Sequence, residues 1–322
     1  MPVTRRQLIV AAGAALLGAA VPAVARGRAG AVALVTADAQ AQIVVVDPVV
    51  LRVLGRIPCA PGPRSIERIG RSGAVVAHTA EGVVSLIDAD ALRVGAVLRG
   101  FRAPRYAAVT GDGRHAHLTD SDAGEVVTID LRRGRVVRRT DVGGPARHVG
   151  LSADGRTLWT ALGAKAERIA VLDVTEPTRP RLVRRVTPPF AAHDVAATHD
   201  DGRFWVTSGD RGAIAVYDGS ASEPRFRLEA DAAPQHVAFA AGVAYVASGD
   251  DGTLRAHRLG DGRRMWTAAI PTGSYNVTAA EGLVVTPSLS RGTLARVAPG
   301  ARAARATGVA RSAHDVCLVR LG

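Results

Sequence analysis

The chain has 322 residues and a formal net charge of +12, but only 4% of its residues are aromatic, so Ala, Val and Leu must fill any large core. Nearly all the positive charge is arginine, Lys165 being the sole lysine, and this compositional bias gives no support to a nucleic-acid-binding function. There is no P-loop, dinucleotide fingerprint, Gly-x-Ser-x-Gly elbow, Cys-x-x-Cys or haem-attachment motif, which leaves serine hydrolase and c-type cytochrome chemistry without a basis.

The N-terminus reads as an export leader over residues 1–25. A charged start precedes an uncharged run from Leu8 to about Ala25, which ends in the small residues Ala23-Val24-Ala25. Thr4-Arg5-Arg6-Gln7-Leu8-Ile9 is similar to a twin-arginine signal, with Leu8 at the usual phenylalanine position. The expectation is an extracytoplasmic protein (periplasmic, wall-associated or secreted) with no membrane span once the leader is removed. In that compartment Cys59 and Cys317 are free to pair or to remain separate thiols.

From residue 26 to 322 the chain repeats, and the expectation is one domain. Seven strand openings recur every 39 to 46 residues: Arg64-Ser65-Ile66, Arg105-Tyr106-Ala107, Arg147-His148-Val149, His193-Asp194-Val195, Gln235-His236-Val237, Tyr275-Asn276-Val277 and His314-Asp315-Val316. The first six are followed by a turn such as Asp112-Gly113, Asp154-Gly155 or Asp201-Gly202, where glycine supplies the positive φ of a tight hairpin. A second strand comes next, as at 115–121, 157–163 and 204–210. A third often ends in Asp, as at 169–173 and 214–218, and a fourth is rich in Val, Leu and Arg.

Four short strands at a period near 40 residues predict an all-β, seven-bladed propeller of four-stranded antiparallel blades. The last opening, at 312–320, has no strands after it, whereas the chain after the leader begins at a second strand, 29–38. The C-terminal strand is therefore expected to complete the N-terminal blade and close the ring. Residues 143–162, with Leu158-Trp159-Thr160-Ala161, Trp205-Val206-Thr207-Ser208 and Tyr245-Val246-Ala247-Ser248, resemble the YVTN-type β-propeller repeat. That resemblance covers essentially all of the chain after the leader; it implies the propeller fold and leaves function open.

In such a ring the openings converge on the upper central funnel. Alternation along a strand predicts one polar and one apolar residue, yet here both tend to be polar, and four of the nine histidines fall at this point of the repeat. His193, His236 and His314 are candidate metal ligands and candidate acid–base residues. Asp194 and Asp315 are placed to orient imidazoles. Arg64, Arg105 and Arg147 form a cationic arc, and His148, Gln235, Tyr275 and Asn276 complete the candidate ligand-binding set. A divalent metal ion is the candidate cofactor.

The competing reading is that these polar strand ends hydrogen-bond neighbouring loops and hold the ring shut. His78, His115, His117, His199 and His257 are assigned to outer strands or turns. The arginines clustered at 132–139 and 179–185 are assigned to blade edges, where charge blocks strand-to-strand association. The leading functional reading is an exported binding or scaffold protein of the cell envelope, monomeric, with a small molecule or envelope component as partner and no nucleic acid. The alternative is a lyase- or lactonase-type enzyme assisted by metal or histidine in the same funnel.

Overall fold

The computed structural model describes residues 30–233 and 235–322, so the expected leader lies outside the described residues. Seven four-stranded antiparallel sheets are arranged as blades in a ring, with the innermost strand of each against the innermost strands of its two neighbours. Blade 1 combines Val316–Arg320, as its innermost strand, with Ala31–Ala37, Gln42–Asp47 and Arg52–Pro58. Ala31 pairs with Arg320 and Val35 with Val316, so the strand that follows the last repeat closes the ring as expected. The innermost strands of blades 2 to 7 are Pro63–Ile69, Pro104–Val109, Val149–Leu151, Ala192–Ala197, Gln235–Ala240 and Thr278–Ala280. Among the described residues no helix is long and apolar enough to cross a membrane.

The core lies between blades rather than within them. Each sheet presents an apolar face to its neighbour on either side, giving seven buried clusters, each drawn from two adjacent blades. The scarce aromatic residues are concentrated between blades 4, 5 and 6. Trp159 stacks on Phe204 with ring centroids 4.6 Å apart, and Trp205 meets Phe239 edge-on. Blades 4 and 5 approach closely where Gly150 faces the next inner strand. A Cβ there would stand 2.7 Å from the Val195 carbonyl oxygen, so glycine is required. Cys59 and Cys317 share the apolar cluster between blades 1 and 2 as free thiols, and burial pushes the Cys59 thiol up to about 12.

Threonines at one place in the second strands tie the blades together. Thr36, Thr119 and Thr207 are fully buried and donate to the next blade, to the carbonyls of Arg64 (3.4 Å), Arg147 (2.5 Å) and Gln235 (2.8 Å). The same oxygens accept the amides of Asp315, Tyr106 and Asp194 in their own blades. Thr160 and Thr286 turn instead to the His148 and Asn276 carbonyls of their own inner strands. A Thr207→Val substitution keeps the shape but leaves a buried amide and a buried carbonyl unpaired, at a cost of roughly 2–4 kcal/mol. Denaturant unfolding should show this as a lower midpoint, and an unchanged midpoint would remove the clamp from the account of stability.

His117 makes a second test. Its side chain is fully buried in the second strand of blade 3, with Nδ1 3.2 Å from the Thr128 hydroxyl, and burial pulls its pKa from 6.5 to about 4. The unfolded chain therefore binds a proton that the folded chain refuses between these values. The resulting stability is complete above pH 6.5 and is lost as pH falls towards 4, by up to roughly 3 kcal/mol. His78 and His257 shift in the same direction through burial. Melting temperature should decline through this window, and less steeply in His117→Gln.

Candidate functional site

The doubled polarity of the strand openings has a local structural cause in every blade but the sixth, where Gln235 and His236 pair in regular register with Ser248 and Ala247. In blade 5 the pairing register runs from Ala192 opposite Ser208 directly to Val195 opposite Val206, so His193 and Asp194 together face the single residue Thr207. Such a bulge places two successive side chains outside the normal alternation. Blades 2 and 3 carry the same interruption, between Pro63 and Ser65 and between Pro104 and Ala107, around Arg64 and around Arg105-Tyr106. In blades 4, 7 and 1 the paired strand begins only at Val149, Thr278 and Val316. There Arg147-His148, Tyr275-Asn276 and His314-Asp315 stand just ahead of it.

Three of these openings, from consecutive blades 4, 5 and 6, bring His148, His193 and His236 together. One nitrogen from each lies within 4.8 Å of those of the other two, and all three residues are buried. The ring centroids are 4.4 Å apart for His148 and His193, 4.9 Å for His148 and His236, and 5.2 Å for His193 and His236. Tyr106 of blade 3 packs its ring 4.1 Å from that of His148.

The hydrogen bonds around the trio orient it. His193 donates from Nδ1 to the Ala164 carbonyl at 2.9 Å, and His236 places Nδ1 3.3 Å from the Asp194 carboxylate. Both arrangements leave Nε2 as the unprotonated atom turned away from the protein acceptor. The oxygen-held imidazole is the pattern that fixes the tautomer of a metal-ligating histidine. His148 differs: neither ring nitrogen has a hydrogen-bond partner among the described residues, although the side chain is 1% exposed. Leaving a buried polar group unpaired is costly, and the one backbone group near this imidazole, that of His193, does not meet hydrogen-bond geometry.

The local electrostatics keep His148 and His193 in their ligating form. Burial, reinforced by the nearby His193 and His236, holds His148 well below the usual histidine range. Burial and His236 bring His193 down to about 4. Burial pushes the Asp194 carboxyl up, but His236 and the Val237 amide outweigh it, and the group stays below its ordinary value. At neutral pH the site therefore holds the Asp194 carboxylate beside neutral imidazoles at His148 and His193. A tetrahedral zinc ion with Zn–N bonds of about 2.0–2.1 Å needs ligand nitrogens about 3.4 Å apart, a closer spacing than the 4.8 Å span within which these three nitrogens lie.

The other expected residues are placed differently. His314 is not part of the trio. Its Nδ1 donates to the Arg64 carbonyl at 2.6 Å, across the seam between blades 1 and 2, and burial together with Arg64 brings its pKa down to about 4. Asp315 accepts the Ile66 and Val316 amides at 3.1 and 2.8 Å, and burial raises its carboxyl to about 7. Asn276 donates to the His314 carbonyl at 2.8 Å, Gln235 bonds the Asp231 carbonyl, and the Tyr275 hydroxyl donates to Asp250 at 2.6 Å. These side chains latch blades and loops. Arg64 and Arg105 instead line a pocket of 530 Å³ together with Asp38, Thr79 and Ser312.

Two features of the site escape the sequence reading. His148 lies in the same strand opening as the other histidines, but the sequence reading placed it in the ligand-binding set and not among the metal-ligand candidates; counting successive blades would have grouped it with His193 and His236. Ala164, whose carbonyl holds His193, has no signal in the sequence.

No protein-family model matches the chain, and no curated protein matches it by sequence. Solved structures do match it in fold. A functionally unknown protein from Desulfotomaculum acetoxidans superposes with a TM-score of 0.78 at 10% identity, over 90% of this chain and 99% of that one. AztD from Citrobacter koseri, in its apo form, gives 0.70 at 13% identity over 91% and 99%. Hydrazine synthase from Kuenenia stuttgartiensis gives 0.62 at 15% identity over 73% and 76%. These similarities establish a seven-bladed β-propeller scaffold and carry no activity with them.

Proposed function

We propose that this protein is an exported metal-binding propeller whose central trio, His148, His193 and His236, holds a divalent ion of the zinc class. The observation that carries the reading is His148, a buried imidazole with both nitrogens unpartnered, set against two imidazoles whose Nδ1 atoms are already held by oxygen. Three imidazole nitrogen donors without thiolate suit zinc, copper or nickel better than calcium or magnesium, which favour oxygen. Export rests on the leader-like residues 1–25, and membership of the YVTN-type repeats on the tetrapeptides at 158–161, 205–208 and 245–248.

Three protein ligands leave one position of a tetrahedral ion open, to water, a partner's side chain or a substrate oxygen. Binding for storage or delivery is the simpler use, because it needs only the trio and its oxygen-held orientation. The lyase or lactonase reading draws on the same open position, with Tyr106 beside His148 as a polar neighbour.

Calorimetric titration of chelator-stripped protein with Zn²⁺, checked by elemental analysis after desalting, tests the metal site. The expected result is one ion per chain. His148→Ala, His193→Ala and His236→Ala should each abolish tight binding, and Asp194→Asn should weaken it about 10- to 100-fold through the loss of the His236 partner. His314→Ala should leave affinity unchanged. A wild-type protein that takes up neither Zn²⁺ nor Cu²⁺, or equal losses in His314→Ala and His193→Ala, would refute the assignment.

A further inference from the structure

Arg64, Arg105 and Arg147 open the innermost strands of three successive blades, 2, 3 and 4. Salt bridges are common among the arginines of this chain, but none of these three forms one among the described residues. Residues 1–29 and Pro234 include no Asp or Glu, so no acidic side chain outside the described residues can pair with them. Asp38 lines the same pocket as Arg64 and Arg105, and Asp122 is near enough to act on Arg105, but neither lies within ion-pair distance.

The guanidinium groups are also short of hydrogen bonds. Nε of Arg105 and Nε of Arg147 are buried with no acceptor. Burial first, then the charges of Arg147 and Arg64, hold Arg105 below its ordinary pKa, so like charges have been brought together without a counterion. Their backbones are fixed from the preceding blade. Thr36 donates to the Arg64 carbonyl, Ser65 to that of Arg105 and Thr119 to that of Arg147. Arg64 and Arg105 line a 530 Å³ pocket, and Arg147 is near enough for its charge to act on Arg105, so planar, multidentate donors meet at a pocket with the character of a site for a small oxyanion ligand.

We infer that the Arg64–Arg105–Arg147 arc binds the phosphate or carboxylate group of a small molecule in the upper funnel. The ligand's charge supplies the acceptors that the buried Nε atoms lack and offsets the repulsion within the arc. This inference stands apart from the metal reading, because the arc belongs to blades 2 to 4 and needs no ion in the histidine trio.

The test uses the full chain stripped of metal, titrated by calorimetry at low salt with inorganic phosphate and, separately, with succinate. At least one probe should bind with one-to-one stoichiometry and weaken as salt rises. Phosphate alone would define a phosphate site, succinate alone a carboxylate site, and both a general oxyanion site. Arg105→Gln and Arg64→Gln should each reduce affinity ~10-fold or more, as expected for a lost charge-assisted hydrogen bond. The exposed Arg132→Gln control should bind like wild type.

Thermal unfolding separates a binding role from a structural one. Without ligand, Arg105→Gln should melt at or above the wild-type temperature, because a crowded charge has been removed, and it should lose the rise in melting temperature that the probe gives wild type. The inference is overturned if neither probe binds wild type, if both arginine variants bind like wild type, or if Arg105→Gln lowers the ligand-free melting temperature while retaining binding.

Discussion

The buried threonine hydroxyl in the second strand of a blade is the interaction on which the rest of this molecule depends. In blades 1, 3 and 5 one oxygen accepts an amide from its own inner strand and donates to a carbonyl of the next blade. Apolar contact between blades is nondirectional and would tolerate sliding. A two-sided hydrogen bond in a dry interface is directional and costly to break. It therefore sets the register of neighbouring blades at the point where the functional side chains emerge. The carbonyls it fixes are those of Arg64, Arg147 and Gln235, which adjoin or belong to both candidate sites.

That arrangement makes stability and function share residues. His193 and Asp194 occupy a bulge opposite Thr207, and the distortion that exposes them to the axis is held by Thr207 itself. Asp194 joins neighbouring blades through the Val237 amide while orienting His236. Blade closure and the orientation of a candidate metal ligand, posed as alternatives from the sequence, fall in this pair to one carboxylate. In His314 and Asp315 the same residue types serve closure through the Arg64 carbonyl and the Ile66 amide. The difference lies in the neighbours: the histidines of blades 4, 5 and 6 are successive, whereas His314 is followed by blades that open with arginine.

The fold was legible in the sequence because propeller blades are local. Each hairpin turn, such as Asp154-Gly155, and each alternating strand is encoded within a few residues, and a period repeated seven times averages out its weakest copies. Ring closure was legible for the same reason, since a lone inner strand at one end and a missing one at the other admit a single pairing. The site was only half legible. Repeat position identified which residues face the axis, but which of them meet depends on rotamers and on acceptors such as the Ala164 carbonyl, which belong to no pattern. The sequence reading thus chose His314 as a metal-ligand candidate and kept His148 in the wider ligand-binding set, whereas the distances assemble His148 with His193 and His236.

Closing the ring through Val316–Arg320 has a consequence for how the molecule is made. The contacts that seal blade 1 join residues about as far apart in the chain as any pair can be, while the histidine trio is drawn from blades 4, 5 and 6, which take no part in that pairing. Joining distant segments is slow rather than expensive, since loop entropy grows only logarithmically with length. A growing chain can therefore complete the blades that carry the trio while the ring is still an open arc. The last strand then acts as a fastener rather than a foundation, turning a crescent that already holds its imidazoles into a wheel.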